Sequence, residues 1–507
     1  MKNSNVLVVI SLLLITFSYS LLRGQDLDHE IGNFRKAVCP FSLPTGLVQG
    51  ENFEFGYVTV PEFHNNPNGK TLELAVAIFP CSGENPAPDP LVMNTAGPGK
   101  SNMDNFIPQI AGGLGNYILP DRDIVIIELR GLRYSKPFLM CHEIADAERA
   151  MMGQNLSTPK TMAVLRKALK ASKKRFNREG VDLSAFNNVE TASDIALIMS
   201  KLGYEQFNIV GSSAGTLVAH HVIRDYPDRV RCAILDAGLP LDPELKINYV
   251  PSIVACLKNY FKECSLDHVC DSAYPHLEER FLKLIDDLNE DPVMLLIKDP
   301  LSGEKLDYAL NGYRLSSYLF MRMFYSTQIP LLIGNVLDGD YRDVVNYLTN
   351  SLVPNYFADG LGFTVFISET GNYEVSDIDL DPTYQVFSEG VMRTGLGGRF
   401  WLEVDKKWKI SKLDAKRIQY PEPSDVPVLV LNGKYDPVIP VKYDKVMKKN
   451  LKNCYIYRFD GVPHSAFDNA TECALPMILQ FLHDPSKAPD SRCMENYKQD
   501  YQVKDME

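Results

Sequence analysis

The part of this sequence that most constrains its fold is residues 207–223. A strand-like apolar run up to Val210 meets Gly211-Ser212-Ser213-Ala214-Gly215, and a helix-like run of small and apolar residues follows at once. Glycines two residues on either side of Ser213 let a strand and a helix pass close together without side-chain clashes. The pattern predicts a nucleophile elbow, a sharp turn that exposes the Ser213 hydroxyl at the carboxyl edge of a sheet. Because the same pentad also arises by chance, its interpretation depends on partner residues elsewhere.

Length and composition are those of an ordinary globular protein. The 507 residues suffice for one large α/β domain with an insertion, or for two domains. The contents of 45% hydrophobic and 23% charged residues fit either arrangement. The formal net charge of -12 argues against nucleic-acid partners and against adhesion to anionic lipid, because both favour basic surfaces.

The N-terminus has the features of an export signal. A lysine precedes an apolar run over residues 6–17, and Ser18 and Ser20 are small residues at the two positions that a signal peptidase reads. The run is shorter than the ~20 residues that span a bilayer, which favours a cleaved signal peptide over a membrane anchor. We place this signal peptide at residues 1–24, with cleavage after either Ser20 or Gly24. We expect a secreted or periplasmic protein without stable membrane insertion.

The ten cysteines favour disulfides, because their number is even and the expected setting is oxidising. Cys264 and Cys270 can close a short loop, and Cys473 with Cys493 can tie down the C-terminus; both pairings are hypotheses. The sequence does not pair the remaining six, which are Cys39, Cys81, Cys141, Cys232, Cys256 and Cys454.

Predicted strands and helices alternate over most of the chain. The strand-like runs are residues 53–60, 72–79, 90–94, 123–129, 207–210, 231–236, 426–433 and 454–459. Helical patterns cover residues 143–178, 191–202 and 474–483. The first two strands form a hairpin, and the later alternation indicates a mostly parallel sheet with helices on both faces.

Residues 244–420 lack this alternation. Helical stretches at 253–263, 276–288 and 313–325 are joined by aromatic, glycine- and proline-bearing links. We interpret the region as an inserted, largely helical lid over the strand ends, because the sheet pattern resumes after it; the alternative is an independent second domain. The core then consists of residues 25–243 and 421–507.

Residues late in the chain supply candidate partners for Ser213. A serine hydroxyl needs an imidazole to take its proton and a carboxylate to orient that imidazole. Asp436 and His464 follow strand-like runs, and the order Ser, acid, His is typical of the α/β-hydrolase fold. In the alternatives, Asp436 only shapes a turn, Asp460 is the acid, or His464 is a polar surface residue.

No His or Cys spacing in the sequence suggests a metal, and no phosphate loop or dinucleotide fingerprint is present. We therefore expect no cofactor.

Several motifs resemble the proline iminopeptidase and tripeptidyl aminopeptidase family of α/β-hydrolases. The loop Asn94-Thr95-Ala96-Gly97-Pro98-Gly99 is similar to the Gly-Gly-Pro-Gly loop of that family, and further similar stretches are residues 130–135, 211–216, 235–238, 264–275 and 433–437. The likeness spans about residues 37–495. It implies Ser213 as nucleophile, Asp436 as acid and His464 as base, with the N–H groups of Gly97 and Ala214 as the oxyanion hole.

Departures from the family pattern bear on the substrate. Ala96 stands where the family usually has Gly, Ala214 replaces an aromatic residue, and Val462-Pro463 replaces the usual lead-in to the base. Backbone donors survive these changes, so acyl transfer is still implied, whereas proline selectivity is not. By its resemblance to an acidic family position, Glu369 is a candidate to hold a substrate's amino group; the alternative is a solvated surface glutamate.

The sequence thus predicts an exported serine hydrolase that works through an acyl-enzyme. The resemblance implies a peptidase that cleaves near the N-terminus of short peptides. Two alternatives remain open: an esterase or other small-molecule hydrolase with the same triad, and a non-catalytic binding protein on a hydrolase scaffold. The side-chain preference and the oligomeric state are not predicted.

Overall fold

The computed structural model describes residues 30–95, 97–242, 249–352, 356–369, 381–394 and 404–503. The expected signal peptide and Ala96 lie outside these ranges. Among the helices of the described ranges, none combines the length and the apolar composition that crossing a membrane requires.

In the described part of the chain, nine strands form the main sheet and two more form a separate hairpin. Their spatial order in the main sheet is β1-β2-β3-β5-β4-β6-β7-β10-β11. The strands are β1 (Phe34–Lys36), β2 (Glu54–Pro61), β3 (Thr71–Phe79), β4 (Leu91–Asn94), β5 (Ile124–Ile127), β6 (Phe207–Ser212), β7 (Val230–Asp236), β8 (Val293–Lys298), β9 (Lys305–Leu310), β10 (Val428–Gly433) and β11 (Cys454–Phe459). β1, β2, β3 and β5 pair antiparallel in that order, and all neighbours from β5 to β11 are parallel.

Helices lie between and after these strands. They are α1 (Asn102–Gln109), α2 (Gly115–Ile118), α3 (His142–Met151), α4 (Thr158–Arg178), α5 (Asn188–Lys201), α6 (Ala214–Asp225), α7 (Tyr249–Leu266), α8 (His268–Ala273), α9 (Leu277–Glu290), α10 (Gly312–Met323), α11 (Ile329–Leu337), α12 (Arg342–Ser351), α13 (Asp359–Glu369), α14 (Gln385–Arg393), α15 (Lys442–Asn450), α16 (Ala466–Asn469) and α17 (Thr471–His483).

The main sheet is covered on both faces. In β5, Val125 and Ile127 join the hydrophobic cluster that contains α4, α5 and α6, whereas Ile124 and Ile126 join the cluster that contains α1 and α17. Strands buried on both faces are continuous apolar runs, which explains the composition of β4 and β5. The predicted fold, a mostly parallel sheet between two layers of helices, is confirmed.

The long insertion between β7 and β10 carries α7 to α14. Seven of its helices, α7 to α12 and α14, share a third hydrophobic cluster with Leu217 of α6 and with Tyr435 and Ile439 after β10, whereas α13 joins the cluster that contains α4, α5 and α6. The insertion therefore packs on the carboxyl side of the sheet. The hairpin of β8 and β9 was not predicted. Met294 and Leu296 are apolar but 55% and 56% exposed, and they mask the alternation that normally reveals a strand.

Two disulfides join cysteines of the described residues. They link Cys264 to Cys270 and Cys473 to Cys493, the two pairs suggested from sequence. The first bridge lies at the end of α7, and the second joins α17 to the C-terminal segment. The remaining six cysteines, all within the described ranges, form no disulfide there.

Candidate active site

The tight turn predicted to be a nucleophile elbow joins β6 to α6. Ser213 stands between them with φ 50° and ψ -117°, a backbone conformation that costs a non-glycine residue of order 1–3 kcal/mol. Its N–H donates to Asp236 O at 2.8 Å, and its carbonyl accepts from the N–H of Thr216 at 2.9 Å. These bonds hold the turn in place, and the Ser213 side chain is half-buried at the carboxyl edge of the sheet.

The elbow glycines are required by close approach of backbones. A Cβ at Gly211 would lie 2.5 Å from the carbonyl oxygen of Gly215, and a Cβ at Gly215 would lie 2.6 Å from Thr95 O. Contacts this short are with backbone atoms, which cannot rotate away. Gly215 therefore lets α6 pack directly against the loop after β4.

Gly215→Ala is expected to destabilise the protein by about 1–3 kcal/mol and to lower activity, because the added methyl group pushes the loop after β4 away from the elbow. The free energy of unfolding in urea and kcat/KM are the measurements. Gly112→Ala is the matched control, since a Cβ there meets no atom within 4 Å. Equal stability and activity of the two variants would contradict the close-approach argument.

His464 and Asp436 form a buried pair in the loops after β11 and β10. The Nδ1 atom of His464 lies 2.6 Å from Asp436 Oδ2. The other carboxylate oxygen, Oδ1, accepts the N–H groups of Val438 at 2.9 Å and Ile439 at 3.0 Å. Asp436 thus fixes the orientation of the imidazole ring.

Asp460, the alternative acid, is placed differently. Its side chain is 52% exposed and bonds Lys434 Nζ at 3.1 Å. The carboxylate that contacts the His464 imidazole is that of Asp436.

Ser213, Asp436 and His464 lie on one edge of the sheet, because β6, β10 and β11 run parallel and each residue follows the carboxyl end of its strand. Within the described residues, no hydrogen bond joins Ser213 Oγ to His464 Nε2. Catalytic hydrogen bonds are often long in ligand-free enzymes and shorten in the substrate complex.

The glycine-rich loop after β4 lies beside the elbow. Gly97 and Gly99 have φ of 75° and 136°, values that favour glycine. Asn102 anchors the loop, since its Oδ1 accepts from Thr95 N at 2.8 Å and its Nδ2 donates to Ile127 O at 2.7 Å. No described residue accepts a hydrogen bond from the N–H of Gly97 or of Ala214, so both groups are available to an oxyanion.

A buried carboxyl group accepts a hydrogen bond from the backbone directly after the same loop. Glu128, which follows β5, accepts from Met103 N at 3.1 Å and from Tyr134 N at 3.4 Å. Burial raises the pKa of Glu128 to about 7, although the hydrogen bond from Ser101 and those from the backbone oppose the rise.

Two families match this chain by sequence, and both are consistent with the observed fold. Residues 89–263 match the family described as alpha/beta hydrolase fold, and residues 396–493 match the family described as TAP-like protein. The chain has the α/β-hydrolase fold. The resemblance indicated by the sequence motifs is thereby confirmed.

Two named relatives of this α/β-hydrolase are peptidases. Serine protease Hip1 from Mycobacterium tuberculosis is 26% identical over 247 residues, which are 46% of this chain and 45% of the relative. Tripeptidyl aminopeptidase from Streptomyces lividans is 27% identical over 187 residues, which are 36% of this chain and 34% of the relative. The chain thus spans less than half the length of the curated relatives it matches.

Among solved structures, a proline iminopeptidase from Mycobacterium smegmatis is 12% identical over 85% of this chain and 98% of its own, with a TM-score of 0.39. This score is too low to support a conclusion about function.

The insertion of this α/β-hydrolase contacts two parts of the site. The ring of Phe324, just after α10, meets the His464 ring edge-on with centroids 4.9 Å apart. The N–H of Ala358 donates to Gly99 O at 2.9 Å, and Phe357 lies against the same glycine. The insertion therefore borders both His464 and the glycine-rich loop.

Negative charge around His464 governs its titration. Burial lowers the pKa of His464, but the charge and hydrogen bond of Asp436, together with the charges of Asp236 and Asp468, outweigh it, and the net pKa is raised above 6.5. The protonated form is thus stabilised in the folded protein.

We expect the acid limb of the kcat/KM profile to have its midpoint above pH 6.5, because His464 must be neutral to accept a proton and its raised pKa keeps it protonated to higher pH. Asp468→Asn removes one nearby charge and is expected to move the limb to lower pH. The measurement is kcat/KM against pH for both proteins. A midpoint at or below 6.5, or a shift in the opposite direction, would contradict this account.

Glu369, the candidate for substrate binding, is the last residue of α13 and is 1% exposed. The alternative of a solvated surface glutamate is therefore wrong. Its Oε1 lies 3.6 Å from His221 Nε2 of the elbow helix, and the neighbouring His220 Nδ1 lies 2.7 Å from Tyr420 OH. Its role towards a substrate stays a prediction.

Within the described ranges, no group of three or more His, Cys, Asp or Glu side chains is placed to hold a metal ion.

Proposed function

We propose that this protein is a serine hydrolase of the peptidase type, with Ser213 as nucleophile, His464 as base and Asp436 as acid. The observation that carries the proposal is the 2.6 Å contact of His464 Nδ1 with Asp436 Oδ2 at the sheet edge where the strained Ser213 stands. This arrangement can supply the proton transfer that a serine hydroxyl needs at neutral pH.

The chemistry runs through an acyl-enzyme. Ser213 Oγ attacks the carbonyl carbon as His464 Nε2 takes its proton, and the N–H groups of Gly97 and Ala214 stabilise the negative oxygen. The proton then passes from Nε2 to the leaving nitrogen, and the C–N bond breaks. Water attacks the acyl group, gives a proton to Nε2 and releases the acid, and Ser213 regains its proton.

The proposed substrates are short peptides, cleaved near their N-terminus. The names of the relatives, a serine protease and a tripeptidyl aminopeptidase, support a peptide substrate. We further propose that residues 244–420 act as a lid, since Phe324 and Ala358 border the site; a lid there would exclude folded proteins and admit peptides. Glu369 is the proposed partner for a substrate's amino group.

We further propose that the protein is exported from the cell or to the periplasm. The two disulfides fit an oxidising compartment. A periplasmic or secreted enzyme would meet short peptides there.

Digestion of a peptide library, read by mass spectrometry, tests the substrate class. Protein purified from cells that express the full chain is expected to release residues or short peptides from unblocked N-termini, and N-acetylated copies of the same peptides should resist. Short-chain esters are included in parallel. Turnover of esters alone would identify an esterase, and failure to react with a fluorophosphonate probe would favour a binding protein.

A further inference from the structure

We infer that Asp236 is a positioning residue that holds the Ser213 elbow and the His464 loop at a fixed separation. The inference rests on the proposed function. Asp236 ends β7, which lies in the sheet between β6, the strand of the nucleophile, and β10, the strand of the acid.

The carboxylate of Asp236 contacts the residues next to both reacting groups. Its Oδ2 accepts from Ser465 Oγ at 2.5 Å and from Ser212 Oγ at 3.3 Å. Ser212 directly precedes the nucleophile, and Ser465 directly follows the base. One side chain therefore ties together two loops that are more than 200 residues apart in sequence.

Two further contacts of Asp236 fix the same loops through their backbones. Its carbonyl oxygen accepts from Ser213 N at 2.8 Å, and its Oδ1 accepts from Phe467 N at 3.1 Å. The residue is 1% exposed, so water does not compete for these bonds. Each of the three oxygens of Asp236, the carbonyl and both carboxylate oxygens, thus accepts a hydrogen bond from the elbow or from the His464 loop.

The His464 loop needs this support because its backbone is strained. Ser465 has φ 65°, which a non-glycine residue adopts only when its surroundings hold it there. Asn469 closes the loop from the other side, since its Nδ2 donates to His464 O at 2.6 Å and to Ser465 O at 3.0 Å. Asp236 is the member of this network that also reaches the elbow.

The role of Asp236 is distinct from that of the acid. Its carboxylate bonds Ser212, Ser465 and Phe467, whereas the imidazole nitrogen Nδ1 bonds Asp436. Burial raises the pKa of Asp236 to about 6, with the bonds from Ser465 and Phe467 opposing the rise.

The test is Asp236→Asn, which keeps the volume but replaces one acceptor oxygen by a donor. We expect kcat to fall roughly 10- to 100-fold with KM unchanged, because misplacement of reacting groups by about 1 Å has an effect of that size. Asp460→Asn, at an exposed carboxylate that bonds Lys434, is the matched control and is expected to keep the wild-type kcat.

A double-mutant cycle separates positioning from general loss of stability. Ser465→Ala alone should lower kcat, but it should add little in the Asp236→Asn background, because the bond is already weakened there. Additive effects on kcat, or a wild-type kcat for Asp236→Asn, would overturn the inference. If Asp236→Asn does not fold, Ser465→Ala and Ser212→Ala must each lower kcat without changing KM; wild-type kcat in either variant would overturn the inference.

Failure of the inference and failure of the proposed function give different results. A wild-type protein that neither hydrolyses any substrate nor reacts with a fluorophosphonate overturns the proposed function, and the inference with it. A wild-type protein that is active and loses activity in Ser213→Ala, but is indifferent to Asp236→Asn and Ser465→Ala, overturns the inference alone.

Discussion

Ser213→Ala is expected to lower kcat by a factor on the order of 10⁶ without unfolding the protein, because the atom that forms the acyl-enzyme bond is removed. The substitution should leave the backbone strain of the elbow unchanged, because the φ of 50° at residue 213 is held by backbone hydrogen bonds with Asp236 and Thr216. Hydrolysis of the peptide identified in the library digest is the measurement, with thermal unfolding as the check on folding.

Covalent labelling by a fluorophosphonate gives the same test without a known substrate. Wild-type protein should be labelled at Ser213, as shown by mass spectrometry of the digested adduct, and Ser213→Ala should not be labelled. The neighbouring Ser212 provides the matched control, since Ser212→Ala should still be labelled, although more slowly. Equal labelling of Ser213→Ala and wild type would contradict the assignment of the nucleophile.

Asp436→Asn is expected to lower kcat about 10⁴-fold, because an amide donates a hydrogen bond to Nδ1 and stabilises the wrong tautomer of His464. The 2.6 Å contact and the two backbone bonds to Oδ1 indicate that the amide would keep the geometry and change only the proton. Steady-state kinetics of Asp436→Asn and of Asp460→Asn, compared with wild type, show which of the two carboxylates is the acid. If Asp460→Asn loses activity and Asp436→Asn keeps it, the acid is misassigned.

The sheet and the elbow were predictable because local patterns encode them. An apolar run followed by Gly211-Ser212-Ser213-Ala214-Gly215 specifies a strand, a tight turn and a helix within a few residues. Of the strands after the insertion, β10 begins as a continuous apolar run and β11 is rich in aromatic and apolar residues, so both were found close to their observed bounds. The hairpin of β8 and β9 was missed because exposed apolar side chains hide its alternation.

The supporting contacts of the candidate site were not predictable in this way. Asp236 was noted only as part of a family-like stretch, and nothing in its local sequence indicates that it reaches Ser465, which is 229 residues away. The edge contact of Phe324 with His464 likewise depends on how the insertion packs. Such contacts leave no periodic signal, because they join single residues of distant segments.

The hydrogen bonds of the Asn469 side chain to the His464 loop affect the choice of expression host. Asn469-Ala470-Thr471 reads as an acceptor for N-linked sugar in a eukaryotic secretory pathway. The amide nitrogen that would carry the sugar is the one that donates to His464 O at 2.6 Å. A yeast or insect-cell host could thus attach a glycan where the loop needs a small, unmodified amide, whereas a bacterial periplasm forms the disulfides and leaves Asn469 untouched.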